Sequence, residues 1–185
     1  MRLLRDIGIT ILIALAVFGL LRVSLQGYMV RGSCMLPGIQ NQDWVMVSKA
    51  SYFFTDPDHG DVVILQPPFQ TKHPFIKRVI ALPGDTIEVK DGEVYINGVS
   101  LTEPYIAQSP RYSLSAREIP EGEYFVLGDN RNNADDSHVW GAVPRENIVG
   151  KVWFIYWPPQ RWQLVRSYYY PEIADEQLPV GAEGG

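Results

Sequence analysis

One long apolar run stands at the front of the chain, and short apolar runs cut by turns fill the rest. Ile7 to Leu21 is almost purely apolar, with Arg2 and Arg5 before it and Arg22 after it. That run is shorter than the ~20 residues a helix needs to cross the hydrocarbon core. Arg22 can snorkel to the interface, and Val23 to Tyr28 then completes the crossing with an aromatic anchor. Residues 1–28 are therefore predicted to be a cytoplasmic N-terminus and a single transmembrane helix. A cleavable signal peptide is the rival reading, but no small-x-small site follows the run convincingly. Arginines in front and acidic residues in the tail put the N-terminus in the cytoplasm and the body outside a cell membrane.

Beyond the anchor the periodicity is that of strands. Candidates are Asp43–Lys49, Gly60–Leu65, Phe75–Leu82, Tyr124–Leu127 and Lys151–Trp157. Thr86–Lys90 and Glu93–Ile96, joined by Asp91-Gly92, read as a hairpin. Tyr105 to Glu118 is polar and reads as an irregular surface excursion. After Tyr170 the chain is polar, acidic and Gly-rich, so 171–185 is expected to be a disordered tail. Residues 29–170 form one mostly β extracytoplasmic domain.

Composition narrows the function classes. The 185 residues suffice for one domain with a real core. A net charge of −5 implies no nucleic-acid partner. The single Cys rules out an internal disulfide. No Cys/His cluster has zinc spacing and no phosphate loop is visible, so neither a metal nor a cofactor is expected.

Candidate chemistry sits in three stretches. The thiol of Cys34 lies in a turn-rich segment, Val30-Arg31-Gly32-Ser33-Cys34-Met35-Leu36-Pro37-Gly38. A lone Cys there is usually only a small buried side chain. Lys77 sits inside the apolar strand Phe75–Leu82, and an apolar surround disfavours a charged amine. Gly128 to Gly141 is dense in hydrogen-bonding residues. A neutral amine beside a thiol or hydroxyl makes a base–nucleophile pair, as in Ser-Lys hydrolases.

At these residues the chain resembles the type I signal peptidases. Their Ser-Met-x-Pro box reads Cys34-Met35-Leu36-Pro37, and their lysine box reads Phe75-Ile76-Lys77-Arg78-Val79-Ile80-Ala81-Leu82-Pro83-Gly84-Asp85. Their third box reads Gly128-Asp129-Asn130-Arg131, then Asp136-Ser137 and Trp140-Gly141, while Gly60-Asp61-Val62-Val63 matches a structural box. The resemblance covers about Arg5 to Trp157. It implies the mostly β fold shared with the self-cleaving SOS repressors, behind one transmembrane helix. It implies removal of signal peptides from exported preproteins after small-x-small sites, with the substrate bound as an added strand and the translocon close by. By residue, it places Cys34 at the nucleophile and Lys77 at the general base, with the Cys34 N–H in the oxyanion hole. Val30, Met35, Ile39, Phe75 and Ile76 are implied to line the substrate pockets and shield Lys77. Arg78, Asp129, Asn130, Arg131, Ala134, Asp136 and Ser137 are implied to support the site, with Arg78 pairing with Asp129.

The departures fall on the chemistry. Cys34 stands at the position of the nucleophilic serine, and Ala134 at that of a serine whose hydroxyl orients the lysine amine. Gly38 replaces a common threonine, and His138 a common arginine, where it reads as a structural partner of Asp136. The leading expectation is a peptidase with a cysteine nucleophile and a weakened lysine network. The alternatives are a serine enzyme altered or impaired at both positions, and a pseudoenzyme that binds signal peptides without cutting them. A self-cleaving repressor is disfavoured, since no DNA-binding segment precedes the domain.

Overall fold

The computed structural model describes residues 2–174. Helix α1 (Arg2–Ser24) runs directly into strand β1 (Leu25–Met29). Within α1, the 20 residues Arg5–Ser24 are apolar enough and, at about 1.5 Å per residue, long enough to cross a membrane. The helix ends before Leu25, which corrects the expectation that the stretch to Tyr28 completes the crossing. Those residues instead form backbone pairs with β2 (Trp44–Ser48), with Tyr28 opposite Val45. Gly27 lets Tyr156 lie against this strand, since a Cβ there would come within 2.6 Å of the Tyr156 hydroxyl.

The remaining strands are β3 (Val62–Leu65), β4 (Phe75–Ala81), β5 (Thr86–Lys90), β6 (Glu93–Ile96), β7 (Val99–Ser100), β8 (Leu114–Glu118), β9 (Glu123–Leu127), β10 (Val143–Pro144), β11 (Ile148–Trp157) and β12 (Gln163–Leu164). Two short helices, α2 (Ser137–Trp140) and α3 (Pro171–Ala174), complete the described chain. The larger sheet has the order β1-β2-β11-β3-β4-β9-β10, with β12 added to β11; the smaller has the order β7-β6-β5-β8. Every residue of β3 is buried, as its continuous apolar run requires, and so is all of β4 after Phe75, Lys77 and Arg78 included. β2, β5 and β6 alternate buried and open positions, as strands with one wet face do.

Two expectations need correction. The excursion from Tyr105 to Glu118 contains β8, which pairs with β5 (Thr86 opposite Glu118). Only Leu114 of that strand is buried, so backbone pairing rather than an apolar pattern holds it. The expected tail also starts too early. Tyr170 and Ile173 are buried in the core with Ile80, Ile87 and Phe125, so packing continues through α3. Residues 175–185, the rest of that expected tail, lie outside the described residues.

Candidate active site

Three segments of the larger sheet converge. The first leaves β1 at Val30, whose N–H donates to Asp43 O at 2.8 Å and whose carbonyl accepts from Gln42 N–H at 2.9 Å. Gly32, at φ +93°, then swings the chain outward, a conformation side chains resist. Past Cys34, Met35 and Ile39 sink into the core beside Val45, Val47 and Ile155. Burying each of these side chains is worth about 1.5–3 kcal/mol, which fixes the turn on the sheet. Buried Asp43 holds the far side, paired with Arg161 Nε at 2.8 Å, while Arg161 Nη2 donates to Gly38 O at 3.0 Å.

The second segment is the start of β4. Phe75 to Arg78 pair with β3 on one side, Lys77 opposite Val63. On the other side the register with β9 begins only at Arg78. The edge of Phe75–Lys77 therefore faces the Cys34 turn, and Cys34 Sγ lies 3.4 Å from the carbonyl oxygen of Ile76 as a donor. Lys77 is only 2% exposed, and its Nζ sits 5.3 Å from the centre of the Phe75 ring.

The third segment, Gly128 to Ser137, clamps the first. Asn130 N–H donates to Cys34 O at 2.9 Å, Asn130 Nδ2 to Ser33 O at 3.1 Å, and Asn133 Nδ2 to Ser33 Oγ at 3.1 Å. Gly128 makes the approach possible. A Cβ there would meet Cys34 O at 2.6 Å and the Ala134 methyl at 2.5 Å.

Cys34, Lys77 and Ala134 line one cavity of about 190 Å³, together with Arg31, Phe75, Ile76 and Asp135 among others. It shares Arg31 and Ile76 with a neighbouring groove of about 210 Å³ between Gln26–Arg31 and His73–Ile76, with Val30 and Ile76 in its walls. Arg31 Nη1 and His73 Nε2 meet at 2.9 Å. Of the residues expected to line the substrate pockets, Val30, Phe75 and Ile76 do border these spaces. Met35 and Ile39, at 1% and 4% exposure, pack in the same core cluster as Val30 and Ile76.

A collar of buried polar groups surrounds the centre. Arg78 forms a two-point pair with Asp129 (2.9 and 2.7 Å), donates to Gly60 O at 2.8 Å and lies over the Tyr105 ring. Burial alone would lower the Arg78 pKa, but its bonds to Asp129 more than reverse this, so the guanidinium stays charged. Arg131 donates to Gly128 O at 3.1 Å and pairs with Glu103. Asp136 accepts from Gly128 N–H at 2.8 Å and caps α2, and its other oxygen faces His138 Nδ1 at 2.5 Å. Ser137 Oγ accepts from Val126 N–H at 3.0 Å. Glu103 and Asn133 escaped the sequence reading. Glu103 lies 28 residues from Arg131, and no local pattern marks a partner at that distance.

A helix long enough to span a membrane leads straight into a β domain, where a thiol and a buried lysine share a cavity beside a free strand edge. That is the layout of a membrane-associated hydrolase with an amine base. The chain belongs to the S26 signal peptidases: the family described as "Signal peptidase, peptidase S26" matches residues 4–157. It is 45% identical over 143 residues to the "Probable signal peptidase I-1" of Synechocystis, covering 74% of this chain and 73% of that protein. It is 39% identical over 165 residues to the "Signal peptidase I" of Leptolyngbya laminosa, covering 85% of this chain and 80% of that one. It is also 40% identical over 161 residues to "Thylakoidal processing peptidase 1, chloroplastic" of Arabidopsis thaliana, covering 82% of this chain and 46% of that protein.

Proposed function

We propose that this chain is a signal peptidase held in a membrane by α1, and that it removes signal peptides from exported preproteins with Cys34 as nucleophile and Lys77 as general base. The observation that carries the reading is the shared cavity: the chain's single thiol and its buried lysine face one space beside the open edge of Phe75–Lys77. The peptide adds as a strand along that edge, and the walls at Val30, Phe75 and Ile76 admit only small side chains.

Lys77 Nζ takes the Cys34 proton, and the sulfur attacks the carbonyl carbon of the scissile bond. The Cys34 N–H donates to the resulting oxyanion. Collapse breaks the C–N bond, Lys77 returns its proton to the leaving amine, and the signal peptide remains on Cys34 as a thioester. Lys77 then deprotonates a water that hydrolyses the thioester, releasing the signal peptide carboxylate and the Cys34 thiol. Ala134 offers the amine no hydroxyl, which favours a second reading in which the chain binds signal peptides without turnover.

An aromatic cluster supports a membrane-lying posture. Trp157 and Trp162 are exposed, and Trp44 stacks obliquely on Tyr156, which touches the strand continuing from α1. Such residues favour the lipid interface. Arg2 and Arg5 support a cytoplasmic N-terminus with the β domain outside, and the family resemblance supports a position near the translocon.

The test is a detergent-solubilised preprotein assay with N-terminal sequencing of the product. Cleavage after an Ala-x-Ala site, lost in Cys34→Ala, supports the reading. Tight binding of the preprotein with no product establishes the second reading instead.

A further inference from the structure

The cavity holding Cys34 shares lining residues with a second space besides the groove. Asn133, Ala134 and Asp135 also border a larger cleft of about 550 Å³, which continues to Arg111, Tyr112, Asn132 and His138. The groove beside β1 shares Arg31 and Ile76 with the Cys34 cavity but no residue with this cleft. The three spaces therefore lie in a row, with the thiol in the middle. A peptide whose residues before the cleaved bond fill the groove must lead the residues after it into the cleft.

The cleft has a firm wall and is equipped to sort charge. The Tyr112 hydroxyl is buried and lacks a partner among the described residues. Burial pushes its pKa further up, so it remains an O–H donor. Stacking on His138, with ring centres 4.0 Å apart, fixes the tyrosine ring, and His138 is itself bound to Asp136. Of the charged groups, Arg131 is committed to Glu103. That leaves exposed Asp135 at the boundary with the Cys34 cavity and exposed Arg111 at the outer end. Asn132 Oδ1 accepts from Arg111 N–H at 2.7 Å, fixing the arginine backbone to the cleft wall.

Building on the peptidase reading, we infer that this cleft receives the first residues of the mature protein, with Arg111 selecting an acidic side chain two to four positions after the cleaved bond. The occupant is the mature segment of the same preprotein.

The test uses preproteins that share one signal sequence and carry Asp or Lys at each of mature positions 1 to 5. At an outer position, Asp is expected to beat Lys by roughly fivefold in kcat/KM, the scale of an exposed charge pair. Arg111→Glu is expected to invert that ratio at the same position. An Asp-to-Lys ratio that Arg111→Glu leaves unchanged at all five positions overturns the inference while leaving the peptidase reading intact. If no preprotein is cut, the peptidase reading fails separately. Peptides with a photocrosslinker at mature position 3, bound to Cys34→Ala protein, then decide. Crosslinks at Arg111 or Tyr112 support the cleft, and crosslinks confined elsewhere overturn it.

Discussion

The collar around the active site and the reacting centre inside it are built by opposite rules. In the collar every named group is tied down. Arg78 has Asp129, Gly60 O and the Tyr105 ring; Arg131 has Glu103 and Gly128 O; Asp136 has Gly128 N–H and His138. In the centre, Cys34 Sγ has one long bond to the Ile76 carbonyl, and Ala134 presents a methyl. By the family resemblance, the departures expected to touch the chemistry, Cys34 and Ala134, lie in the centre, while the collar departs at His138, which still binds Asp136. Changes in the centre remove or swap one small group and leave no buried partner stranded. The same change in the collar strands a charge. The scaffold and the chemistry can therefore drift apart, and a sequence can hold the family fold while its reacting atoms differ.

That contrast can be broken most sharply at Lys77. Lys77→Met keeps the apolar stem and removes the base. Preprotein cleavage is expected to fall about 100-fold to 10,000-fold, with an unchanged circular dichroism spectrum. A loss of fold instead of rate would put Lys77 in the collar. Asp129→Ala does the reverse: it leaves Arg78 charged and buried, a change that costs about 3–5 kcal/mol. For a domain of this size the melting temperature is expected to drop by about 10 °C, measurable by calorimetry. An unchanged melting point removes the distinction drawn here.

Ala134→Ser is a milder and opposite test, because it adds a hydroxyl to the wall shared with Lys77. The cleavage rate is expected to rise about tenfold, the worth of one hydrogen bond made in the transition state. No rise would mean that the amine is already held by packing against Phe75. The smallest effect lies at the edge of the collar. Burial alone would raise the Asp85 pKa, but bonds from His59, Leu82 N–H and Asn97 outweigh it and hold it below its ordinary value. A carboxyl lowered on folding stabilises above its unfolded pKa of about 4, and that contribution is lost as pH falls through the lower, folded value. Urea midpoints should therefore fall between pH 5 and pH 3 in the parent, and fall less in Asp85→Asn.

Much of this was legible before any coordinates. Strand β3 announces itself as an unbroken apolar run, β4 as an apolar run around Lys77-Arg78, and the Asp91-Gly92 turn marks its hairpin. Cys34, Lys77 and Asp129 stood out because their boxes follow one another in order. Strand β8 stayed hidden because four of its five residues are exposed, and α3 because its buried Ile173 sits among polar residues. Glu103 and Tyr112 stayed hidden for another reason. Both act through partners many residues away, and only folding brings those partners together.

On the proposed reading, one thiol performs the chemistry of the family scaffold. Cys34 is the only cysteine in the chain, so a thiol alkylator has a single target. The decisive measurement is preprotein turnover against the fraction of protein alkylated, read by mass spectrometry on the same samples, with Cys34→Ser as a second enzyme. The account predicts that turnover falls in direct proportion to alkylation and that Cys34→Ser cuts at a rate the reagent does not change. Full alkylation with turnover retained would contradict it.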